Sequence, residues 1–487
     1  MKQILICPIL LILLCFSYGQ NTDFDKHREE MQKKWNQHVS ATQKEYADFR
    51  DRLNAAYAER MKENWKLFQL RAAEPAPAKP EPPTPVVKPD DKPAPTQPVP
   101  VKKVTVPTVP ETPKPVKPIA RPEKEEPSQY SFQFHHTPCE VHLQRNHAFV
   151  LPDASEKSAS AAWKKMSESG FDIVADDCLR IKERLALNDW GFIELTKALA
   201  RDFLGKGTNE AVLMQVYLLA QSGYKVRIAR RDEKLLPLIP FSNMLYGYSY
   251  LTLDGERFFL MGEDKEGGSY SVFTEKFQGE KTPSLSFHAE PQFAESLTTP
   301  KTFSSRRYPN ASASVSTNRN LIDFYNTYPT CGIWDECSKA SLSRNVKRSL
   351  YPVLKKQIAG KNELEAANIL LNFVQTAFKY QTDQEQFGYE RPLFGDELFY
   401  YPYSDCEDRS ILFSILAHDL LRLDVVLLHF PGHLATAVRF TENVSGYYLM
   451  IDGMKYVICD PTYIDAPVGD CMPEFTNTAT EIVKIYK

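Results

Sequence analysis

After its first nineteen residues the 487-residue sequence contains no apolar run approaching eighteen residues, so no later segment is long enough to cross a bilayer as a helix. It has no Cys-x-x-Cys pair and no grouping of His and Cys at metal-ligand spacing, which argues against structural zinc. No other metal and no organic cofactor is expected. Nor is there an excess of one charge: the formal net charge is −3, with acids and bases interspersed through the part that reads as globular. That balance argues against a nucleic-acid partner.

The opening "MKQILICPILLILLCFSYG" has one Lys, a continuous apolar core and small residues at Ser17 and Gly19. This is the layout of a cleaved secretory signal over residues 1–19, and it predicts an exported protein of the secreted or periplasmic cell-envelope class. A lipid anchor on Cys15 is the rival reading, with the bulky Leu14 against it. Removing the leader leaves seven cysteines: Cys139, Cys178, Cys331, Cys337, Cys406, Cys459 and Cys471. Seven is odd, so in an oxidising compartment three bridges and one remaining thiol are expected. Cys331 and Cys337 are close enough in sequence to pair; Cys139 with Cys178 and Cys459 with Cys471 are candidate further pairs, which would leave Cys406 as a candidate nucleophile.

Three parts follow the leader. Residues 20–73 read as one long amphipathic helix of coiled-coil type: Pro and Gly are absent from 21–72, and Met31, Trp35, Val39, Tyr46, Phe49, Leu53, Tyr57, Met61, Trp65 and Phe68 recur at helical steps. Such a stripe on a charged rod needs an outside surface, so self-association or envelope docking through residues 21–72 is expected. Residues 74–129 form a Pro-rich linker; "EPAPAKPEPPTPVV…KEEP" over 74–127 holds 18 of the 35 prolines and reads as a disordered spacer reaching about 170 Å if fully extended. Residues 130–487 are long enough for two domains, divided near 300.

An internal comparison supports that division. "YLTLDGERFFLMG" (250–262) aligns with "YLMIDGMKYVICD" (448–460), each a strand, an Asp-Gly turn and a second strand. Upstream of each lies a helical run, "EAVLMQVYLLAQSGYKVRIA" and "DRSILFSILAHDLLRLDVVLL". Matching Ala211 to Ser410 sets Gly207 opposite Cys406, and the hairpins set Gly262 opposite Asp460, at separations of 55 and 54 residues. Two local matches at nearly one spacing point to a tandem repeat.

In "SDCEDRS" Ser404 and Glu407 have capping-box spacing, which predicts a helix beginning just after Ser404 with Cys406 exposed in its first turn. The helix dipole and unbonded N–H groups there favour thiolate and can receive an oxyanion, whereas Asp405, Glu407 and Asp408 oppose ionisation, so a nearby imidazolium is required. "PGHLATAV" supplies His433 at the start of a period-2 strand, and "YVICDPTY" supplies Asp460 at the end of a later one. With the preceding helix "ANILLNFVQTAFKY", these motifs resemble the transglutaminase-like superfamily of papain-like cysteine enzymes over about residues 360–465. The resemblance implies an α+β fold with Cys406 as nucleophile, His433 as general base and Asp460 orienting the imidazole. Two departures are visible: Ser404 stands where many relatives have Gly, and "TENVSGYYLM" lengthens the segment before Asp460. Asp465 is therefore a substitute acid, His429 a substitute base, and Tyr400 and Tyr403 candidate oxyanion donors. The upstream half lacks a Cys at Gly207, an Asp at Gly262 and a His in "LPLIPFSNMLYGYSYL".

The reading is two tandem transglutaminase-like α+β domains, a degenerate one over 130–300 and a catalytic one over 301–487. The expected activity is hydrolysis of peptide or amide bonds in a peptide or protein substrate through a Cys406 thioester. The alternatives are an amine-transferring transglutaminase and a non-catalytic envelope binding module.

Overall fold

A computed structural model of the chain describes residues 22–75, 86–89, 92–107, 111–114, 130–262, 267–287, 289–331 and 334–485. The expected leader and the Cys15 anchor site lie outside these residues. Among the described residues, no helix is long and apolar enough to cross a membrane.

The chain is mixed α+β. Helix α1 (Thr22–Met61) is continuous, as a stretch without Pro or Gly allows, but it stops at Met61 rather than near residue 72. Its C-terminal end is no isolated rod. Asn54, Tyr57, Ala58 and Met61 are buried. Asn54 Oδ1 accepts hydrogen bonds from Trp163 Nε1 at 3.0 Å and Gln221 Nε2 at 2.8 Å, while the Tyr57 ring packs on Trp163 and Phe273. Met31 and Trp35 nearer the N-terminus remain exposed. The apolar stripe thus serves two ends: one is covered by the same chain, the other is open.

The segment after α1 contributes strands at both sheets. Strand β1 (Lys66–Gln69) comes first, followed by β2 (Gln97–Pro98) and β3 (Val101–Thr105) within the stretch read as a spacer. The first large unit then supplies helix α2 (Asn209–Gln221), capped by Thr208, whose side chain accepts from Ala211 N–H. Strands β4 (Arg227–Arg231), β5 (Lys234–Pro240), β6 (Tyr250–Leu253), β7 (Glu256–Leu260) and β8 (Ser269–Phe273) follow. The second unit repeats the succession: helix α3 (Glu363–Ala377), helix α4 (Cys406–Leu416), then β9 (Asp424–Phe430), β10 (His433–Arg439), β11 (Tyr447–Ile451), β12 (Met454–Cys459) and β13 (Thr480–Lys484).

The two sheets share one strand order. The first runs β1-β8-β4-β5-β7-β6 and the second β3-β13-β9-β10-β12-β11-β2, so β4 to β8 and β9 to β13 occupy corresponding places. The register corresponds as well: Leu238 pairs with Leu260 where Ala437 pairs with Ile458. Both central helices, α2 and α4, are buried almost all round, which explains why they read as apolar on every face rather than on one stripe.

The Pro-rich stretch departs from the spacer expectation. Strand β2 pairs with β11 and β3 with β13, both parallel, so residues 97–105 close the two edges of the second sheet. Val99 between them is buried, and its N–H donates to Tyr448 O at 2.8 Å. Lys88 Nζ reaches Asp470 at 2.5 Å. Sheet edges present unpaired backbone groups that any extended chain can satisfy, and a Pro is tolerated on such an edge.

Candidate active site

Helix α4 begins at Cys406, but its cap is one residue later than the Ser404–Glu407 spacing predicts. The Asp405 carboxylate accepts from Glu407 N–H at 3.0 Å and Asp408 N–H at 3.4 Å, and the Asp408 carboxylate accepts from Asp405 N–H at 3.0 Å. A carboxylate in this place satisfies the same N–H groups as a serine and also gains from the helix dipole. Ser404 lies instead in a two-residue strand, Tyr403–Ser404, paired in parallel with Lys379–Tyr380, and its hydroxyl accepts from Arg409 Nε at 3.3 Å.

Cys406 is 4 % exposed, so the expected surface thiol is in fact buried. None of the seven cysteines forms a disulfide, and all are buried. The expected pairings 331–337, 139–178 and 459–471 are therefore not made. Cys406 is set apart by its place at the head of α4, not by elimination. Burial and the adjacent Asp460 carboxylate push the neighbouring Cys459 thiol well above its ordinary value, the behaviour of an inert core thiol.

His433 opens β10 after the two-residue turn Pro431–Gly432, in which Gly432 has φ of +73°, a conformation that suits glycine. Its Nε2 lies 2.9 Å from Asp460 Oδ2, and both side chains are buried. The other carboxylate oxygen of Asp460 accepts the N–H groups of Thr462 at 2.9 Å and Tyr463 at 3.2 Å, so a tight local turn aims the acid. The Phe475 ring stacks on the imidazole, 5.1 Å between centroids and 6° between planes. This arrangement places the Nε2 proton toward Asp460 and leaves Nδ1 as the basic nitrogen. Nδ1 is buried and has no hydrogen-bond partner among the described residues.

One hydrogen bond ties the helix to the strand: Ser410 Oγ donates to Leu434 O at 2.9 Å. Cys406 is one helical turn before Ser410 and His433 one residue before Leu434, so the head of α4 and the start of β10 lie at the same end of the α4–β10 contact. The structure thus brings His433 and Asp460 into direct contact and sets Cys406 at their end of the helix. The substitutes are engaged elsewhere. Asp465 pairs with Arg306 and accepts from Asn372 Nδ2. His429 is opposite Leu434 in the ladder, hence on the other sheet face from His433, and packs against Trp334 at 4.8 Å. Tyr400 packs edge-on against Tyr401, the plain aromatic role, and Tyr403 is half-buried in its short strand.

Three residues at this centre escaped the sequence reading. Gln375, near the end of α3, donates through Nε2 to the carbonyls of Asp460, Tyr463 and Ala466 at 3.0, 2.8 and 3.0 Å, bracing the turn that carries the acid. Phe475 covers the imidazole. Tyr380 has a buried hydroxyl with no hydrogen-bond partner among the described residues. Burial pushes its pKa well above the ordinary tyrosine value, and Cys406 and Asp405 lead the charges that raise it further, which marks it as their neighbour. The only sequence signal for Tyr380 was its position at the end of the "ANILLNFVQTAFKY" run.

In the first unit Gly207, Lys234 and Gly262 occupy the places of Cys406, His433 and Asp460, since β5 opens at Lys234 as β10 opens at His433. These three, with Lys197, Arg201 and Lys206, line a cavity of about 530 Å³. It is basic and has no cysteine among its lining residues. No family model, curated protein or solved structure matches the chain.

Proposed function

We propose that residues 301–487 form a transglutaminase-like cysteine hydrolase domain, that residues 130–300 are its degenerate tandem counterpart, and that the protein is exported and acts on peptide or amide bonds. The observation that carries this reading is the buried His433–Asp460 pair with its Nδ1 unbonded, on the strand that anchors the helix headed by Cys406.

In this reading the Cys406 sulfur attacks the substrate carbonyl carbon while its proton passes to His433 Nδ1. Asp460 keeps the Nε2 proton in place and stabilises the imidazolium that forms. The cap already occupies the N–H groups of Glu407 and Asp408, so the tetrahedral oxyanion is met by the Tyr380 hydroxyl. The imidazolium then protonates the departing amine. Water, deprotonated by the same imidazole, cleaves the thioester and restores the thiol. Water is favoured over an amine as acceptor because it is abundant and the sequence carries no recognisable signal of a second pocket for an amine.

The test is a peptide and amide library incubated with wild-type protein and with Cys406→Ala and analysed by mass spectrometry. Cleaved or deamidated products from wild type alone, without added amine, are expected. Products that require and incorporate an amine would make the protein a transferase, and an absence of both would overturn the catalytic reading.

A further inference from the structure

The cavity that stands in the first unit at the place of the candidate active site has a volume of about 530 Å³ and a one-sided charge. Lys197 and Arg201 reach it from helix Asp189–Leu204, Lys206 from the turn after that helix, and Lys234 from the start of β5. No Asp or Glu is among its lining residues. Accessibility also differs between the units. His433 is buried, whereas Lys206 and Lys234 are exposed and Arg201 is half-buried, so solutes can reach this cavity from outside.

The chain itself does little to compensate these charges. Lys197 is paired with Glu194 one turn earlier on its own helix, but among the described residues the side chains of Arg201, Lys206 and Lys234 make no ion pair or hydrogen bond. The acids near them in sequence are committed elsewhere: Asp202 accepts from the Tyr130 hydroxyl at 2.6 Å, Glu210 from Leu151 N–H at 2.7 Å and Glu233 from Ala154 N–H at 3.4 Å. Another cavity of the same unit shows the contrast, for there Lys225 is paired with Glu256, Arg227 with Glu280 and Lys276 with Asp254. Cations on one cavity repel each other, and half-burial costs Arg201 part of its hydration, so their convergence without acids is unfavourable until an anion enters.

We infer that this cavity binds a small organic dianion, a phosphate monoester or a dicarboxylate. The Arg201 guanidinium offers a planar fork that matches the oxygens of either acid group, and Lys206 and Lys234 add point charges. Three uncompensated cations suit two negative charges better than one. Leu236, Pro237 and Met261 supply an apolar wall for the carbon part of the ligand, and the volume falls in the range of about 300–1,000 Å³ usual for small-molecule sites. Side chains carry the site, since the Thr208 hydroxyl already accepts the Ala211 N–H at the head of α2. At Gly207 a Cβ would meet nothing within 4 Å, so the cavity stays open where the second unit carries its thiol. Cys406 has no part in this site, which is therefore independent of the hydrolase reading.

Calorimetric titration of the full-length protein with phenyl phosphate, and separately with phthalate, just above neutral pH where both are dianions, tests the site. One probe molecule per chain is expected, and the tighter of the two identifies the acid group of the ligand. Arg201→Gln, and Lys206→Gln combined with Lys234→Gln, should each weaken binding about fivefold or more, whereas Lys276→Gln in the charge-balanced cavity should bind as wild type does. Lys206 and Lys234 are exposed, so the double variant decides the matter should Arg201→Gln fail to fold. Absence of binding heat together with an unchanged thermal midpoint for both probes overturns the site. So does a folded double variant that binds as tightly as wild type, or an equal loss in Lys276→Gln. Probe binding by a protein that yields no products from the library would sink the hydrolase reading alone; product formation without probe binding would sink this one alone.

Discussion

Replacing Asp460 with Asn changes few atoms and sets two demands against each other. Asp460 Oδ1 accepts two backbone N–H groups, from Thr462 and Tyr463, while Oδ2 faces His433 Nε2 at 2.9 Å. An amide has a single oxygen. If that oxygen keeps the backbone turn, its NH2 faces Nε2, which must then give up its proton, and the imidazole moves to the tautomer with a proton on Nδ1. The basic nitrogen of the catalytic reading is thereby blocked. Holding the original tautomer instead forfeits a charge-assisted hydrogen bond, about 1.5–3 kcal/mol, or roughly a 10- to 150-fold loss at about 1.4 kcal/mol per decade. Stability should change little, by about 1 kcal/mol, because the turn and the Gln375 brace survive. The assay is the rate of Cys406 alkylation by iodoacetamide between pH 5 and 9, followed by mass spectrometry, with thermal unfolding in parallel. A folded Asp460→Asn protein that alkylates at the wild-type rate across this range would refute the argument.

Three further outcomes are expected. Gln375→Leu fills similar space but strands three buried carbonyls and should cost about 2–4 kcal/mol in denaturant unfolding; a loss under about 1 kcal/mol would show that the turn after β12 needs no brace. Val99→Asp should release the strands at the edges of the second sheet, at a cost of about 1.5–3 kcal/mol, and hasten tryptic cleavage at Lys102 and Lys103; unchanged cleavage would mean that Val99 does not anchor them. Burial raises Asp396 from 3.8 to about 7, against the hydrogen bonds from Ser343. Its folded value lies above the unfolded one, so its contribution is complete below about pH 4 and lost as pH rises toward 7, with a slope up to about 1.4 kcal/mol per pH unit. Asp396→Asn should flatten stability over that window, and an equal slope in wild type and variant would exclude Asp396 as its source.

The positions of the candidate site residues along the fold were readable because their signals are local. A helix start at Cys406 follows from short-range capping, and strand ends at His433 and Asp460 follow from alternation and an Asp-Gly turn. The cap slipped by one residue because Ser404 and Asp405 are both good caps, and the pairing of Tyr403–Ser404 with Lys379–Tyr380 drew the serine elsewhere. Reasoning from an odd number of cysteines did not carry over, since all seven thiols are buried in the fold and none forms a disulfide. The choice between His433 and His429 required the sheet: only register shows that the two imidazoles point to opposite faces.

The sequence by itself determined the mixed α+β class, the long first helix though not its end at Met61, and the matching hairpins of two units, because periodicity and turn residues act over a few positions. Tertiary structure alone decided what the Pro-rich stretch does, since its pairing partners are sheet edges hundreds of residues away. It alone placed Gln375 under the Asp460 turn, Phe475 on the imidazole, and Arg201 with Lys206 and Lys234 around one cavity. Those juxtapositions arise where separate segments pack, and no local pattern along the chain encodes the distance between them.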